Sequence, residues 1–323
     1  MQIIEIANGQ KITEPGIYRM SNAWYHANCC EGPSFSASIA IDLHQECPRA
    51  VWFDSYLNPK RPIKANKRFD LGTAAHAAVL EKEWQKHVVI IDDNASAPRK
   101  KHLKATAKKA GAVSLAAEQM ARIMAARDAL WSDDECRELT TKGQNELSYF
   151  AQDDDTGLWL KVRPDVRIRI EDLVRVRDYK TTDGSVHPRA IASRMYDGGW
   201  IIQAAAQLDV MTRVEGAAPH DFKWIVQEMK EPYLSNIVAP SIIALDWGMI
   251  IWKAMIREFF SCLTADDWPA YERNVELELP RGIEMQLEER KDRGDFGSPE
   301  RVGEDYARRA FGAGNDHRNL EAG

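Results

Sequence analysis

Apolar and polar residues alternate with a period of two between Gln144 and Thr182. Three segments follow this pattern, NELSYFA, LWLKVRPDVRIRI and LVRVRDYK, and the turn-forming segments QDDDTG and ED separate them. Alternation of this kind is typical of half-buried β-strands, and short polar segments between strands favour hairpin turns. The pattern therefore predicts three consecutive antiparallel strands.

Apolar residues recur at helical spacing before and after this strand region. In FDLGTAAHAAVLEKEWQKH, His76 shares a predicted helix face with Val79 and Leu80, so its imidazole is expected to point inward. Two more strand candidates, FKWIVQEM and LSNIVAP, occur later in the chain. This order of elements predicts an α/β fold in which helices pack on a mixed sheet. Further helices are predicted at about 103–131, at about 188–214 with a break at Gly198 and Gly199, and at about 241–262.

The composition is that of an ordinary folded protein. The 323 residues are 44% hydrophobic and 28% charged, which argues against global disorder and fibrous repeats and allows a substantial core. No segment has the length of a membrane span and the amino terminus lacks the features of a signal peptide, so the expected location is the cytoplasm. The five cysteines are scattered and form no C-x-x-C pair, which favours free thiols over disulfides or a zinc site.

Local composition divides the chain into three predicted segments. Residues 1–33 contain turn formers and short apolar stretches, which indicate an N-terminal extension with a strand or two. Residues 280–323 are rich in Glu, Arg, Asp and Gly, which indicates a charged C-terminal tail. The main domain is therefore expected at residues 34–279.

The net charge of −6 argues against a protein that grips nucleic acid through an overall basic surface. A local basic surface is still possible, because the segment PRKKHLKATAKK concentrates positive charge. This segment is a candidate DNA-binding surface, and the alternative is a solvated helix face. Its basic residues are Arg99, Lys100, Lys101, Lys104, Lys108 and Lys109.

Two acids and a lysine lie at the end of the predicted hairpin. Strand alternation places Asp178 and Lys180 on the same face as Val174, which leans towards the core. Buried charges need partners, and the turn at ED would bring Asp165 on the preceding strand back towards Asp178. Two carboxylates with open water positions suit Mg²⁺, and the lysine can orient an attacking water. The alternative is a surface Asp–Lys pair on an ordinary hairpin.

The hairpin resembles the active-site hairpin of the PD-(D/E)XK nuclease superfamily, because RPD is followed after twelve residues by DYKTT. FDLGTAAHAAVLE and NELSYF resemble the histidine helix and the additional acidic position of the branch related to RecE and to the nuclease domain of RecB. GWIIQAAAQLDV resembles the following helix, and PSFSASIAIDLHQECPRAVWF resembles the opening element of RecE-like phage exonucleases. Together these segments cover about residues 34–263.

The resemblance implies roles for individual residues. Asp165 and Asp178 are expected to bind the metal, and Lys180 to position the nucleophilic water. Gln203 is expected to support the DNA or the lysine, while the family's tyrosine four residues later is replaced by Gln207. Two more metal ligands are implied, His76 and Glu146.

Each of these assignments from the resemblance has a simpler alternative. His76 can be a core histidine bonded to a backbone carbonyl, and Glu146 a charge at a strand edge. Gln203 and Gln207 can be solvated amides on a helix face.

The implied fold is a PD-(D/E)XK α/β core, a mixed central sheet flanked by helices, with a helical N-terminal portion. The implied activity is Mg²⁺-dependent hydrolysis of DNA, with Mn²⁺ as a substitute. RecE-like enzymes act as homo-oligomeric rings that digest linear double-stranded DNA from 5′ to 3′ without ATP. They leave 3′ strands for a single-strand annealing recombination protein.

Three alternatives remain for the function. One is a PD-(D/E)XK endonuclease, and another is a CRISPR-associated nuclease of the RecB type. An iron-sulfur cluster of the kind that such nucleases carry is not expected, because Cys262 is the only cysteine after Lys180. The third alternative is a catalytically silent DNA-binding protein of the same fold. The chain has no Walker motif, which agrees with independence from ATP.

Overall fold

The structure, a computed structural model, describes residues 2–61, 67–92, 94–219 and 221–296, without the side chains of residues 67–70 and 108. The chain forms two units, Met1–Ala270 and Tyr271–Gly323. The first unit contains the strands and helices that carry the predicted site, and the second contains one described helix. The predicted boundaries after residues 33 and 279 stay predictions.

The strands of the described residues are short, apart from two long ones in the middle and later part of the chain. In chain order they are β1 (Ile3–Glu5), β2 (Gly16–Arg19), β3 (Ser34–Ser36), β4 (Val88–Ile91), β5 (Val113–Ala116), β6 (Gln144–Asn145), β7 (Ser148–Gln152), β8 (Trp159–Val162), β9 (Val166–Ile170), β10 (Leu173–Thr182), β11 (Asp221–Glu228) and β12 (Ser235–Val238).

Several helices begin where a polar side chain caps the first turn. Ser36 and Ser241 each accept a hydrogen bond from the amide three residues later, which satisfies a donor that the helix leaves unpaired. The α-helices are α1 (Asn22–Tyr25), α2 (Ala37–Gln45), α3 (Pro48–Asp54), α4 (Lys67–Leu80), α5 (Ala97–Ala110), α6 (Ala117–Ser132), α7 (Asp134–Thr141), α8 (Pro188–Asp197), α9 (Trp200–Glu215), α10 (Ile242–Ala265) and α11 (Arg281–Asp292), with a 3₁₀ helix at Trp84–His87.

Two five-stranded sheets organise the first unit, in the orders β1-β2-β7-β8-β3 and β12-β11-β10-β9-β6. Both are mixed, since β3 runs parallel to β8 and β10 runs parallel to β11 while other neighbours are antiparallel. A third, two-stranded sheet pairs β4 with β5. The α/β class with mixed sheets and packed helices is therefore as the sequence predicted.

The segment LWLKVRPDVRIRI forms two strands rather than the single strand that the sequence predicted. Its first part is β8 in the first sheet and its second part is β9 in the second sheet, with Arg163 to Asp165 between them. Pro164 has no amide proton to donate, so pairing ends there. The chain therefore changes sheets immediately before β9.

The segment NELSYFA makes the opposite change of sheet. β6 belongs to the second sheet and β7 to the first, and between them Glu146 adopts a positive φ of 56°, which regular strands do not use. The Glu146 amide donates to the carbonyl oxygen of Asp165 at 3.2 Å. This hydrogen bond joins the two points at which the chain passes from one sheet to the other.

The hairpin of β9 and β10 forms with the predicted turn at Glu171 and Asp172. Val166 pairs with Arg177, so the register places Asp165 opposite Asp178 at the open end of the hairpin. β10 is buried on both faces, since Val176 is in the main core and Tyr179 packs in a cluster on the other side. Alternate side chains of β10 therefore pack into two different buried clusters, one on each face of the strand.

Helices α9 and α10 pack closely over the main core. A Cβ atom on Gly248 of α10 would lie 2.3 Å from the carbonyl oxygen of Ile201 in α9, so only glycine permits this approach. The break predicted at Gly198 and Gly199 separates α8 from α9, and Gly199 has a φ of 66°. The largest side chains of this core include Phe35 and Trp224 and, from α10 itself, Trp252 and Phe259.

A second group of helices covers the other face of the hairpin sheet. α4 packs against α6, and α5 packs on the two-stranded sheet of β4 and β5. The region predicted as one or two helices at about 103–131 forms α5 and α6 with β5 between them. α4 carries His76, and the packing of α4 against α6 and β10 sets the position of this helix beside the hairpin.

The predicted charged tail includes a helix, α11, whose side chains are all exposed. Its low apolar content agrees with this exposure, because few side chains in it can contribute to a core. The five cysteines are buried and free, as predicted. Within the described part of the chain, every helix falls short of the length and apolar character that a membrane span requires.

Candidate active site

Asp178, Lys180 and Gln203 form a connected group at the end of β10. The Gln203 amide donates from Nε2 to Oδ1 of Asp178 at 2.9 Å, and its Oε1 accepts from the Lys180 ammonium at 2.7 Å. The same ammonium lies 2.6 Å from Oδ2 of Asp178. Gln203 on α9 therefore fixes the acid and the lysine relative to each other, rather than lying in solvent.

Asp165 lies across the hairpin from this group, as the register requires. Its Oδ2 accepts from the backbone amide of Tyr179 at 2.7 Å and lies 2.7 Å from Nε2 of His76. The hairpin and α4 thus meet at one carboxylate oxygen.

His76 stands between two carboxylates. Its Nε2 faces Asp165, and its Nδ1 lies 3.6 Å from Oε1 of Glu146. The other oxygen of Glu146 pairs with the guanidinium of Arg163. Ligating atoms of His76, Glu146 and Asp165 all lie within 4.8 Å of one another, which makes them a possible metal-binding group.

The proton affinities of these side chains diverge. Burial and the nearby charge of Asp165 raise the pKa of Asp178 to about 6, against the pull of Lys180. Burial alone would lower the pKa of His76, but Asp165 and Glu146 overcome it and raise that pKa to about 9. Burial also opposes ionisation of Asp165, yet His76 and Lys180 hold its pKa below the usual value. Burial raises the pKa of Glu146.

This arrangement fits a bound cation. Asp178 is fully buried, and among the described residues no donor is aligned with its Oδ2 as a hydrogen bond, although the Lys180 ammonium is close to it as an ion pair. A buried carboxylate oxygen without an aligned donor is costly unless another charge satisfies it. A metal held by His76 would need the neutral imidazole, so a bound cation would replace the proton that His76 carries between the two carboxylates. Carboxylate oxygens are the donors that hard divalent cations prefer.

The basic residues predicted to bind DNA lie on α5, which contains no acidic residue. Arg99, Lys101, Lys104 and Lys109 are exposed and Lys100 is half-buried, whereas the side chain of Lys108 lies outside the described residues. α5 packs on β4 and β5 rather than forming part of the hairpin. Its role in DNA binding stays a prediction.

The sequence did not indicate three features of the site. The first is Arg163, which lies two residues before Asp165 and pairs with Glu146. The second is the Trp200 ring, whose centroid is 6.0 Å from the Lys180 ammonium. Gln207 is buried, and its Oε1 has no hydrogen-bond partner within the part of the chain that the structure describes, so it is not a solvated amide. No local pattern in the sequence signals these long-range contacts.

Comparison with known proteins places the chain in a family and finds solved structures that it resembles. The solved structure of a candidate exonuclease from Eubacterium rectale is 13% identical, with a TM-score of 0.53 over 79% of this chain and 92% of that one. The structure of a protein called SSO0001 is 10% identical, with a TM-score of 0.31 over 71% of this chain and 77% of that one. No curated protein is significantly similar in sequence. The sequence profile of the PD-(D/E)XK nuclease superfamily matches residues 34–293, and the chain therefore belongs to that superfamily.

Proposed function

We propose that this nuclease is a RecE-like exonuclease of phage type, which acts in the cytoplasm. It digests linear double-stranded DNA from 5′ to 3′, with Mg²⁺ and without ATP, and leaves 3′ single strands for recombination. The observation that carries the proposal is the cluster of Asp165 with His76 and Glu146, with Asp178 and Lys180 across the hairpin from Asp165. The description of the Eubacterium rectale protein as a candidate exonuclease supports the same reaction.

Four side chains would hold the metal: His76, Glu146, Asp165 and Asp178. Mg²⁺, or Mn²⁺ in its place, supplies Lewis-acid stabilisation of the phosphate and a more acidic water when bound. The fit rests on the buried, incompletely satisfied carboxylate of Asp178 and on the oxygen-rich donor set.

Lys180 has the geometry of a group that positions the attacking water. Gln203 and Asp178 hold its ammonium in place, and Trp200 lies beside it. A fixed ammonium can orient a water and stabilise negative charge that grows on the phosphate during attack. Because the lysine side chain is partly exposed, substrate can approach the ammonium.

The proposed substrate is the end of a DNA duplex. A chain of net charge −6 needs geometry to hold DNA, and a homo-oligomeric ring would bring several copies of the basic helix α5 around one channel. Contacts between its exposed basic side chains and phosphates would make binding salt-dependent. The proposed partner downstream is a single-strand annealing recombination protein that takes the 3′ strand.

The decisive experiment incubates equal masses of linear and covalently closed circular plasmid with Mg²⁺ and no ATP. We expect progressive loss of the linear DNA, intact circles, little cleavage when Ca²⁺ replaces Mg²⁺, and none in EDTA. Duplexes labelled at either the 5′ or the 3′ end establish the polarity. Rapid cutting of the circles would replace the exonuclease by an endonuclease, and full activity in EDTA would remove the metal mechanism.

The oligomeric state needs a separate measurement. Sedimentation of the protein alone should give a closed multiple of the 36.6 kDa chain if a ring forms. A strictly monomeric enzyme that still degrades linear DNA progressively would leave the chemistry in place and remove the ring.

A further inference from the structure

Arg163 connects the candidate metal ligand Glu146 to the N-terminal segment. Its Nε donates to Oε2 of Glu146, and its Nη1 lies 3.3 Å from the carbonyl oxygen of Met20 and 3.5 Å from the hydroxyl of Ser148. The guanidinium carbon is 5.7 Å from the ring centroid of Tyr25. The guanidinium therefore contacts Glu146, Ser148 and the segment of residues 20–25.

The contact with Arg163 leaves Glu146 one oxygen for the metal site. Oε2 is engaged by the guanidinium, while Oε1 faces His76 at 3.6 Å. The backbone of Glu146 is fixed separately, by its positive φ and its hydrogen bond to Asp165. Backbone geometry therefore places the Cα atom, and Arg163 selects the direction of the carboxylate.

The N-terminal segment is itself tied to the sheet beside Arg163. The Lys161 ammonium, on β8, donates to the carbonyl oxygen of Tyr25 at 2.8 Å and lies 5.2 Å from the centroid of the Tyr25 ring. Lys161 is only 2% exposed, and a buried ammonium needs such partners to offset its desolvation. Tyr25 thus contacts both nearby cations, Lys161 and Arg163.

We propose that Arg163 is a positioning residue for Glu146, and that residues 20–25 set the position of Arg163. These residues lie outside the 34–293 match to the superfamily, so part of the metal site is organised by a segment that the shared sequence does not include. The inference rests on the proposed function, because it assumes that Glu146 is a metal ligand. Partners that orient a ligand commonly change metal affinity tenfold or more when they are removed.

The test compares Arg163→Gln and Arg163→Lys with the wild-type protein. Mn²⁺ binding is measured calorimetrically without DNA, and the Mg²⁺ dependence of cleavage is measured in parallel. Arg163→Gln should weaken Mn²⁺ binding about tenfold and raise the Mg²⁺ concentration for half-maximal rate by a similar factor. The rate at saturating Mg²⁺ should change less, which a general loss of structure would not produce. Arg163→Lys, which keeps a positive charge, should restore part of the affinity.

Tyr25→Leu tests the part played by the N-terminal segment. It removes the aromatic face beside Arg163 and leaves the Met20 carbonyl in place. Loss of one cation–π contact should weaken Mn²⁺ binding about threefold. Wild-type Mn²⁺ affinity in Tyr25→Leu would overturn the role of residues 20–25.

Arg213→Gln is the matched control. Arg213 is also a partly buried arginine held by carboxylates, but these are Asp209, Asp153 and Asp154 rather than a site residue. We expect Arg213→Gln to lower thermal stability and leave the Mn²⁺ affinity unchanged. An equal loss of affinity in Arg213→Gln would show that Arg163 acts only through stability.

The outcomes separate this inference from the proposed function. A wild-type protein that neither binds Mn²⁺ nor cleaves DNA would refute the function. A metal-dependent wild-type nuclease whose Arg163→Gln variant keeps its Mn²⁺ affinity would refute this inference alone. If Arg163→Gln does not fold, Arg163→Lys decides, and wild-type affinity in that variant overturns the requirement for the guanidinium.

Discussion

Two buried carboxylates, those of Glu215 and Asp178, differ in how completely hydrogen bonds satisfy their oxygens. Glu215 accepts from Tyr149 at 2.8 Å and from the two nitrogens of Arg167 at 2.9 and 2.6 Å, so both its oxygens are bonded. Asp178 has one bonded oxygen and one that, among the described residues, faces only the unaligned ammonium of Lys180. The first carboxylate is saturated by fixed donors, and the second is not.

The pKa values of the two acids move in opposite directions for this reason. Burial opposes ionisation of both, but hydrogen bonds from Arg167 and Tyr149 hold the pKa of Glu215 below its usual value. Burial and the charge of Asp165 raise the pKa of Asp178 to about 6. A charge cluster that serves stability has its donors built in, whereas a cluster that serves binding leaves room for a ligand to supply them.

The largest expected effect is at Asp178, the carboxylate with an oxygen that lacks an aligned donor. Asp178→Asn should reduce cleavage by at least about a hundredfold, because Asp178 is a proposed metal ligand and such a ligand contributes several kcal/mol to stabilisation of the transition state. The asparagine Oδ1 can still accept from Gln203, so thermal stability should change little. Single-turnover cleavage of linear DNA and a thermal melt measure the two effects. A large fall in melting temperature with normal cleavage would show that Asp178 serves stability rather than cleavage.

Lys180→Ala should also reduce cleavage by about a hundredfold, since it removes the ammonium that we propose orients the water. DNA affinity should be largely retained, because contacts with phosphates elsewhere dominate binding. Cleavage rates and a DNA-binding titration at fixed salt measure the two quantities. If this variant cleaved DNA at the normal rate, the assignment of the hairpin as the catalytic centre would fail.

Glu215→Gln should show the opposite pattern. It leaves Arg167, whose side chain is 5% exposed, without its counter-charge, and breaking a buried pair in this way costs about 3 kcal/mol. The free energy of unfolding, measured in urea, should fall by about that amount. The cleavage rate of the folded protein should stay within about twofold of wild type, since Glu215 lies outside the metal group. A selective loss of cleavage would make Glu215 part of the site.

Acid should weaken the ion pair between Glu215 and Arg167. Because the folded pKa of Glu215 is depressed, its contribution to stability is present above its unfolded pKa and is lost as the pH falls through the folded pKa. Unfolding free energies between about pH 5 and about pH 3 should therefore fall less steeply in Glu215→Gln than in wild type. Parallel profiles would contradict the depressed pKa.

The smallest expected effect is at Gln207. Replacing this buried amide with methionine removes an oxygen that has no partner in the described structure and keeps the side-chain length, so stability should rise by about 1 kcal/mol. Cleavage should not change. Gln203→Met, one turn earlier on α9, is the contrasting variant, because it removes the bonds to Asp178 and Lys180 and should reduce cleavage. An equal loss of cleavage in Gln207→Met and Gln203→Met would show that cleavage depends on the packing of α9 and not on the hydrogen bonds of Gln203.

The sequence predicted the hairpin well because its information is local. Alternation in VRIRI and LVRVRDYK, with ED between them, brings Asp165 back towards Asp178 with modest register freedom, and the observed register places the two opposite each other. The helix break at Gly199 is also local, since a positive φ is easiest for glycine. The resemblance added His76, Glu146 and Gln203, all of which the structure brings to the hairpin.

The change of sheet could not be read from the sequence. Alternation of period two is the same in either sheet, so it does not show that β8 and β9 separate after Arg163. The contact of Arg163 with Met20 joins residues 143 positions apart, and no local spacing reports it. The burial of Arg177, whose two terminal nitrogens pair with Asp221, depends likewise on a distant strand.

The hydrogen bond between the Glu146 amide and the Asp165 carbonyl has a consequence for evolution. It joins main-chain atoms, so exchange of either side chain leaves this bond in place. A lineage can therefore exchange the carboxylate of Glu146 or Asp165 by a single substitution while this main-chain link between the two sheets persists.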